Sequence, residues 1–82
     1  MEAIHIDLLL ALRGAGEFGI GLDHLLTDMR RGRHRDLTRP QAERALRDLA
    51  DECRANPFTD SLKQKKWAIT ATGRRALEEA SL

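Results

Sequence analysis

Residues 38–57 constrain this chain more than any other stretch. Thr38-Arg39-Pro40-Gln41 is a helix start: Thr38 can cap, Pro40 is tolerated in the first turn, and Gln41 completes a capping box three residues on. Ala42, Ala45, Leu46, Leu49 and Cys53 then share one helical face, and Arg44, Arg47, Asp48 and Asp51 occupy the opposite one. Asn56-Pro57 is expected to end the helix, because a residue before proline disfavours helical backbone. Cys53, on the apolar stripe, is expected to be a buried structural cysteine. One face of this helix must therefore be covered by the rest of the chain, while the other is free to meet solvent or a partner.

The remaining segments supply the cover. Glu2 to Arg13 forms a helix with Ile4, Leu8, Ala11 and Leu12 on one face and Ile6, Leu9 and Leu10 on a second. A helix apolar on two sides needs burial on two sides, and one of them is a candidate surface for another chain. Gly14-Ala15-Gly16 ends it, and Phe18-Gly19-Ile20 fits a short extended segment. Leu22, Leu25, Leu26 and Met29 define a second amphipathic helix from about Leu22 to Arg30, stopped by Gly32. Phe58 to Ser61 and Lys66 to Ile69 read as two short strands joined by a turn through Lys65, with Trp67 and Ile69 on the buried side. Thr70 then caps a last helix whose inner residues are Ala76, Leu77 and Ala80.

With 82 residues the chain is expected to hold a single domain, and one this small buries only about 60% of its unfolded surface. The longest apolar run, Leu8 to Leu12, is far shorter than the roughly 20 residues of a spanning helix, so no membrane role is expected. No basic stretch followed by an apolar run opens the chain, so no secretory leader is expected. A single cysteine fits a reducing, cytoplasmic compartment. Eleven Arg against three Lys suggests a GC-rich bacterial genome.

The formal net charge of +1 conceals a strong pattern. Residues 1–29 carry a net −4 and residues 30–48 a net +4; residues 49–60 carry −2, residues 61–75 carry +5 and the last seven −2. If the fold joins the two basic segments, the result is a positive face suited to phosphates. If it does not, they are two solvated loops.

The order helix, short extended segment, helix, tight basic turn, helix, hairpin, helix fits two helices that grip DNA followed by a wing. Trp67-Ala-Ile-Thr-Ala-Thr-Gly-Arg-Arg-Ala-Leu resembles the end of the wing in winged helix-turn-helix transcription factors, and Leu22 to Leu49 is similar to their two central helices. The resemblance spans about residues 4 to 80 and is nearest to PadR-like and MarR-like DNA-binding domains. It implies a mainly α fold with a small β-hairpin. It also implies double-stranded DNA as partner, with the helix at about 38–54 in the major groove and a wing at about 58–69 on the backbone. The sequence departs from these families in two places. Cys53 to Phe58 replaces the usual glycine and apolar pair before the wing, and the 82 residues hold no long extra dimerisation helix.

The candidate base readers are Arg39, Gln41, Arg44 and Arg47, residue types suited to guanine and adenine edges. Against this, Glu43–Arg47, Arg44–Asp48 and Arg47–Asp51 are spaced to form ion pairs on a merely solvated face. Lys63, Lys65 and Lys66 with Gln64 would form a phosphate-gripping wing tip, or a soluble turn that discourages edge pairing. Arg30, Arg31, Arg33, His34 and Arg35 make the densest basic run, open to phosphate, RNA or an acidic protein. Trp67 is read as a core residue rather than a stacking platform. His5, His24, His34 and Cys53 lack metal-ligand spacing, and no phosphate loop or catalytic motif is present, so no cofactor, metal or enzymatic activity is expected. A homodimer through the Ile4–Leu12 helix and the C-terminal helix is expected. The competing reading is a winged-helix protein-interaction module within a larger assembly.

Overall fold

Helix α1 (Ala3–Ala15) touches every other helix and the second strand, and its Leu8, Leu9 and Leu12 are fully buried. The structure, a computed structural model, describes residues 2–82. After α1 come a 3₁₀ turn (Gly16–Phe18), α2 (Leu22–Arg31), α3 (Arg39–Asp51), β1 (Ala55–Thr59), β2 (Lys65–Ile69) and α4 (Ala71–Glu79). Leu25, Leu26 and Met29 of α2, and Ala42, Ala45, Leu46 and Leu49 of α3, pack with the α1 leucines, Trp67, Ile69 and Leu77 in one core. The two apolar faces of α1 are largely consumed inside the chain: Ile4, Ile6, Leu10 and Ala11 pack half-buried against that core. No helix among the described residues is long and apolar enough to cross a membrane.

The start of α3 forms as its sequence predicts. Thr38 Oγ1 accepts the Gln41 N–H at 3.3 Å, and Gln41 Oε1 accepts the Thr38 N–H at 3.0 Å. The end differs. Helix α3 stops at Asp51, before Asn56-Pro57 acts. The Arg54 N–H bonds the Leu49 carbonyl at 2.8 Å and the Cys53 N–H bonds the Ala50 carbonyl at 3.0 Å. This is a Schellman closure, with Cys53 at φ +60° where glycine is usual. The left-handed residue leaves the helical stripe, so Cys53 is exposed and not part of the core.

Asn56 and Pro57 instead lie within β1, which pairs antiparallel with β2 from Ala55 opposite Ile69 to Thr59 opposite Lys65. The hairpin thus begins three residues earlier than the Phe58 start read from sequence. Proline is tolerated there because Pro57 opposite Trp67 is a non-hydrogen-bonded pair of the ladder. The N–H and carbonyl of Trp67 exchange two 2.9 Å bonds with Ile20 on the other side. Trp67 therefore has none to offer Pro57 opposite it, and the missing proline N–H removes nothing from the ladder. Of Phe18-Gly19-Ile20, only Ile20 is extended into pairing; Phe18 ends the 3₁₀ turn. Gly19 makes the link at φ +73°, where a Cβ would stand 2.8 Å from the Trp67 carbonyl oxygen.

Helix α4 docks through its first turn. Thr70 Oγ1 accepts the Gly73 N–H at 3.0 Å and donates to the Cys53 carbonyl at 2.5 Å, while the Thr70 N–H bonds the Arg54 carbonyl at 3.1 Å. The inner residues of α4 are Gly73 and Leu77, with Ala76 half-buried; Ala80 is exposed because it lies beyond the last helical residue. A Cβ on Gly73 would come 2.1 Å from the Arg54 carbonyl oxygen. Gly73→Ala is therefore expected to destabilise the chain by about 1–3 kcal/mol through overpacking, lowering Tm by roughly 4–8 °C per kcal/mol in a thermal melt. Cys53→Gly is expected to act oppositely, adding about 1 kcal/mol by relieving the left-handed penalty. An unchanged urea midpoint in that variant would contradict the strain assigned to Cys53.

Candidate nucleic-acid interface

Helices α2 and α3 are joined by residues 32–38, and this turn is tied down from three sides. Gly32 N–H and His34 N–H both bond the Met29 carbonyl, at 3.2 and 3.3 Å. Leu37 is buried in the core, and the Arg30 Nε donates to its carbonyl at 2.9 Å. Asp7 of α1 accepts from Arg33 Nε at 2.6 Å and Nη2 at 3.1 Å, and lies 2.6 Å from His34 Nε2. The Arg33 guanidinium holds the Asp7 carboxyl below the usual carboxylate range, against the opposing effect of burial, and His34 adds to the shift. Arg30, Arg33 and His34 thus fix the turn to the body of the protein. Of the run expected to grip phosphate, Arg31 and Arg35 are the exposed members outside these bonds.

The basic residues of α3 divide between two sides of the helix. Arg39, Glu43 and Arg47, four residues apart, line a cleft of about 940 Å³ with Asp23 and His24 of α2 and Gln64 and Lys65 of the hairpin. Leu22, Ala50, Pro57 and Trp67 give this cleft apolar surface. Gln41 and Arg44 face the α1 side instead, in a shallow recess with Ile4, His5 and Asp48. Arg33, Arg35 and Gln41 share a further recess on that side. Lys65 of the wing therefore shares a cleft with α3, whereas the turn between α2 and α3 joins a different recess.

Several of these cations are engaged. Arg39 pairs with Asp23, and the amide oxygen of Gln41 is committed to the capping box. Arg44 and Arg47 are exposed, and neither makes an ion pair among the described residues. The spaced pairs expected within α3 do not form; Asp48 lies 3.3 Å from His5 of α1. In the wing, one Asp60 carboxylate oxygen accepts the N–H groups of Leu62 and Gln64 at 2.9 and 2.8 Å. The Gln64 bond is the main cause holding the Asp60 carboxyl below its usual range, followed by Leu62 and then by Lys66, whose Nζ is 3.6 Å away. The Lys65 ammonium sits 5.3 Å from the centre of the Trp67 ring, and Lys63 is exposed. Trp67 is itself buried, as its alternation with Lys66 and Ala68 indicated.

Sequence reasoning missed Asp23 and Asp7, which lie 16 and 26 residues from the arginines they bind, beyond any local rule. Glu43 was open to detection, because it shares the helical row of Arg39 and Arg47. Among the described residues no group of three or more His, Cys, Asp or Glu could hold a metal ion.

No protein-family model and no curated protein sequence matches the chain. Mutants of S. aureus MepR are among the solved structures similar to it. One, a point mutant of S. aureus MepR, superposes with a TM-score of 0.82 at 16% identity, covering 96% of this chain and 54% of that one. Another, a second S. aureus MepR mutant bound to an oligodeoxyribonucleotide, gives 0.81 at 16% identity, covering 95% of this chain and 54% of that one. The chain spans about half the length of both proteins. The fold is the expected winged helix-turn-helix: mainly helical, with a two-stranded antiparallel hairpin.

The lowered Asp7 carboxyl carries a pH signature. A depressed carboxylate stabilises the fold fully above its unfolded value, here 3.8, and that contribution disappears as pH falls through the lower folded value. Urea midpoints should thus be insensitive to Asp7 ionisation near neutrality and fall steeply in acid. In Asp7→Asn the acid limb should flatten, with a lower midpoint at pH 7. An acid limb of unchanged steepness would show that the Asp7–Arg33–His34 cluster does not hold the turn.

Proposed function

We propose that this chain is a winged-helix DNA-binding protein, forming a single domain over residues 1–82 and acting as a bacterial, cytoplasmic transcriptional regulator rather than an enzyme. Its recognition helix, α3, lies in the major groove, and the hairpin grips the adjacent backbone. The observation that carries this reading is the cleft that places Arg39 and Arg47 of α3 beside Lys65 of the wing, with unpaired Arg44 exposed on the same helix. Duplex DNA offers both the base edges that arginine reads bidentately and the phosphates that a lysine contacts. A fold neighbour bound to an oligodeoxyribonucleotide supports the same reading. Arg44 and Arg47 are assigned to bases, Lys63 and Lys65 to phosphates, and Arg35 to a more distant phosphate. Arg33, Arg39, Gln41 and Lys66 contribute through the geometry they hold, since each is engaged within the chain. Homodimerisation through the Ile4–Leu12 helix and the C-terminal helix belongs to the same proposal, with half-buried Ile4 and Leu10 and exposed Leu82 as its apolar contacts.

One observation favours a protein partner instead: Asp23 and Glu43 line the same cleft as the arginines, so its rim carries both signs of charge. The two readings separate on binding of purified protein to a fluorescent duplex across a salt series. On the DNA reading, log affinity falls linearly with log salt, and Lys65→Ala weakens all sequences alike while lowering the slope by about 1. Arg44→Ala costs about 1–3 kcal/mol on a selected site and relaxes its specificity. Equal affinity of both variants and the wild type, or no duplex binding at low salt, would transfer the assignment to a protein-interaction module.

A further inference from the structure

The cleft between α3 and the hairpin holds two carboxylates among its cations. Asp23 and Glu43 line it together with Arg39, Arg47 and Lys65, so its formal charge is only +1 with His24 neutral. One of these acids is bound to one of the cations. Asp23, in the first turn of α2, pairs with Arg39, the first residue of α3. Glu43, one turn along α3 from Arg39, makes no ion pair among the described residues.

The fold does not need the Asp23–Arg39 pair. The Asp23 side chain is 82% exposed and that of Arg39 is 53% exposed, and ion pairs so open to water contribute little to stability. Leu25, Leu26 and Met29 of α2 and Ala42, Leu46 and Leu49 of α3 already meet in the core. The Thr38–Gln41 capping box starts α3 without Arg39. What the pair does is occupy a guanidinium that lines the cleft beside Arg47 and Lys65.

We propose that the Asp23–Arg39 pair is an autoinhibitory contact: Asp23 takes the place of a backbone phosphate in the free chain, and a duplex must displace it to gain Arg39. The inference rests on the duplex-DNA reading above and adds to that site a restraint on its own affinity. Carboxylate and phosphate oxygens accept the same N–H groups of a guanidinium, so they compete for it. Phosphate can win, because the exposed pair is weak and duplex DNA presents charge densely along its backbone. The exchange still carries a cost. Arg39 displaces a counterion from the DNA, but the freed Asp23 takes a cation back, so this arginine adds nothing to the salt dependence. Affinity for every duplex is held below what Arg39, Arg47 and Lys65 would give unopposed.

The test uses the intact chain and a fluorescent random-sequence duplex across a salt series. Asp23→Asn is expected to bind about two- to fivefold more tightly at low salt, the range that the energy of an exposed pair allows. It should also steepen the slope of log affinity against log salt by about 0.9. Asp23→Ala, which leaves the guanidinium no acceptor, should gain as much. In an Arg39→Ala background the change of slope should vanish and the gain should fall below about twofold. Asp28→Asn removes the same charge from the recess between α1 and α2 and should leave affinity and slope unchanged. Circular dichroism should show every variant folded, because Asp23, Asp28 and Arg39 are exposed. Wild-type affinity in Asp23→Asn, a gain undiminished in the Arg39→Ala background, or an equal gain in Asp28→Asn overturns the autoinhibitory contact while leaving the DNA reading intact. Absence of duplex binding by the wild type and every variant at low salt overturns both.

Discussion

Leu8, Leu9 and Leu12 of α1 are fully buried, and the helix that carries them touches α2, α3, α4 and β2. The rest of the structure depends on this contact. In a chain of 82 residues, α2 and α3 each have one apolar stripe and too few turns to be stable alone. A helix apolar on two sides supplies what each lacks. Each fully buried leucine is worth roughly 1.5–3 kcal/mol relative to exposure, so three on one helix are comparable to the whole net stability of a domain this size. Asp7, on the same helix, adds direction by holding Arg33 and His34, and so fixes the turn that sets α3 relative to α2.

The hairpin depends on a second arrangement, centred on Trp67. Its backbone bonds Ile20 on one side and its position faces Pro57 on the other, so one strand residue joins the start of α2 to the wing. Its ring is buried, yet its edge of the structure lines the cleft beside α3, and Lys65 lies over it. The site is therefore built on the core rather than added to it. That Lys65 and Arg47 line one cleft follows from packing that the fold needs in any case.

Charge in this protein does two kinds of work. Asp7–Arg33, Asp23–Arg39 and Asp60–Lys66 join segments within the chain, while Arg44, Arg47 and Lys63 are exposed and make no ion pair among the described residues. Composition does not distinguish the two groups. Arg33 and Arg35 are two residues apart and look alike in sequence, but only Arg33 reaches the Asp7 carboxylate. A basic run is evidence of a binding face only after the acids that come to meet it are known.

The winged-helix fold was what a family resemblance implied; the sequence by itself determined the element order, the capping box at Thr38 and Gln41, the stripes of α2 and α3, and the burial of Trp67. All of these are set by interactions within a few residues or by periodicity, which a linear chain displays directly. Tertiary structure decided the rest. Cys53 left the core because a Schellman closure ended α3 early; Pro57 entered a strand because the register places it in a non-hydrogen-bonded pair with Trp67; Gly73, not Ala80, packs inward, with the Arg54 carbonyl against it. Which arginines remain free was settled by carboxylates 16 to 26 residues away. Such contacts depend on where helices are placed in space, and no local spacing rule contains that information.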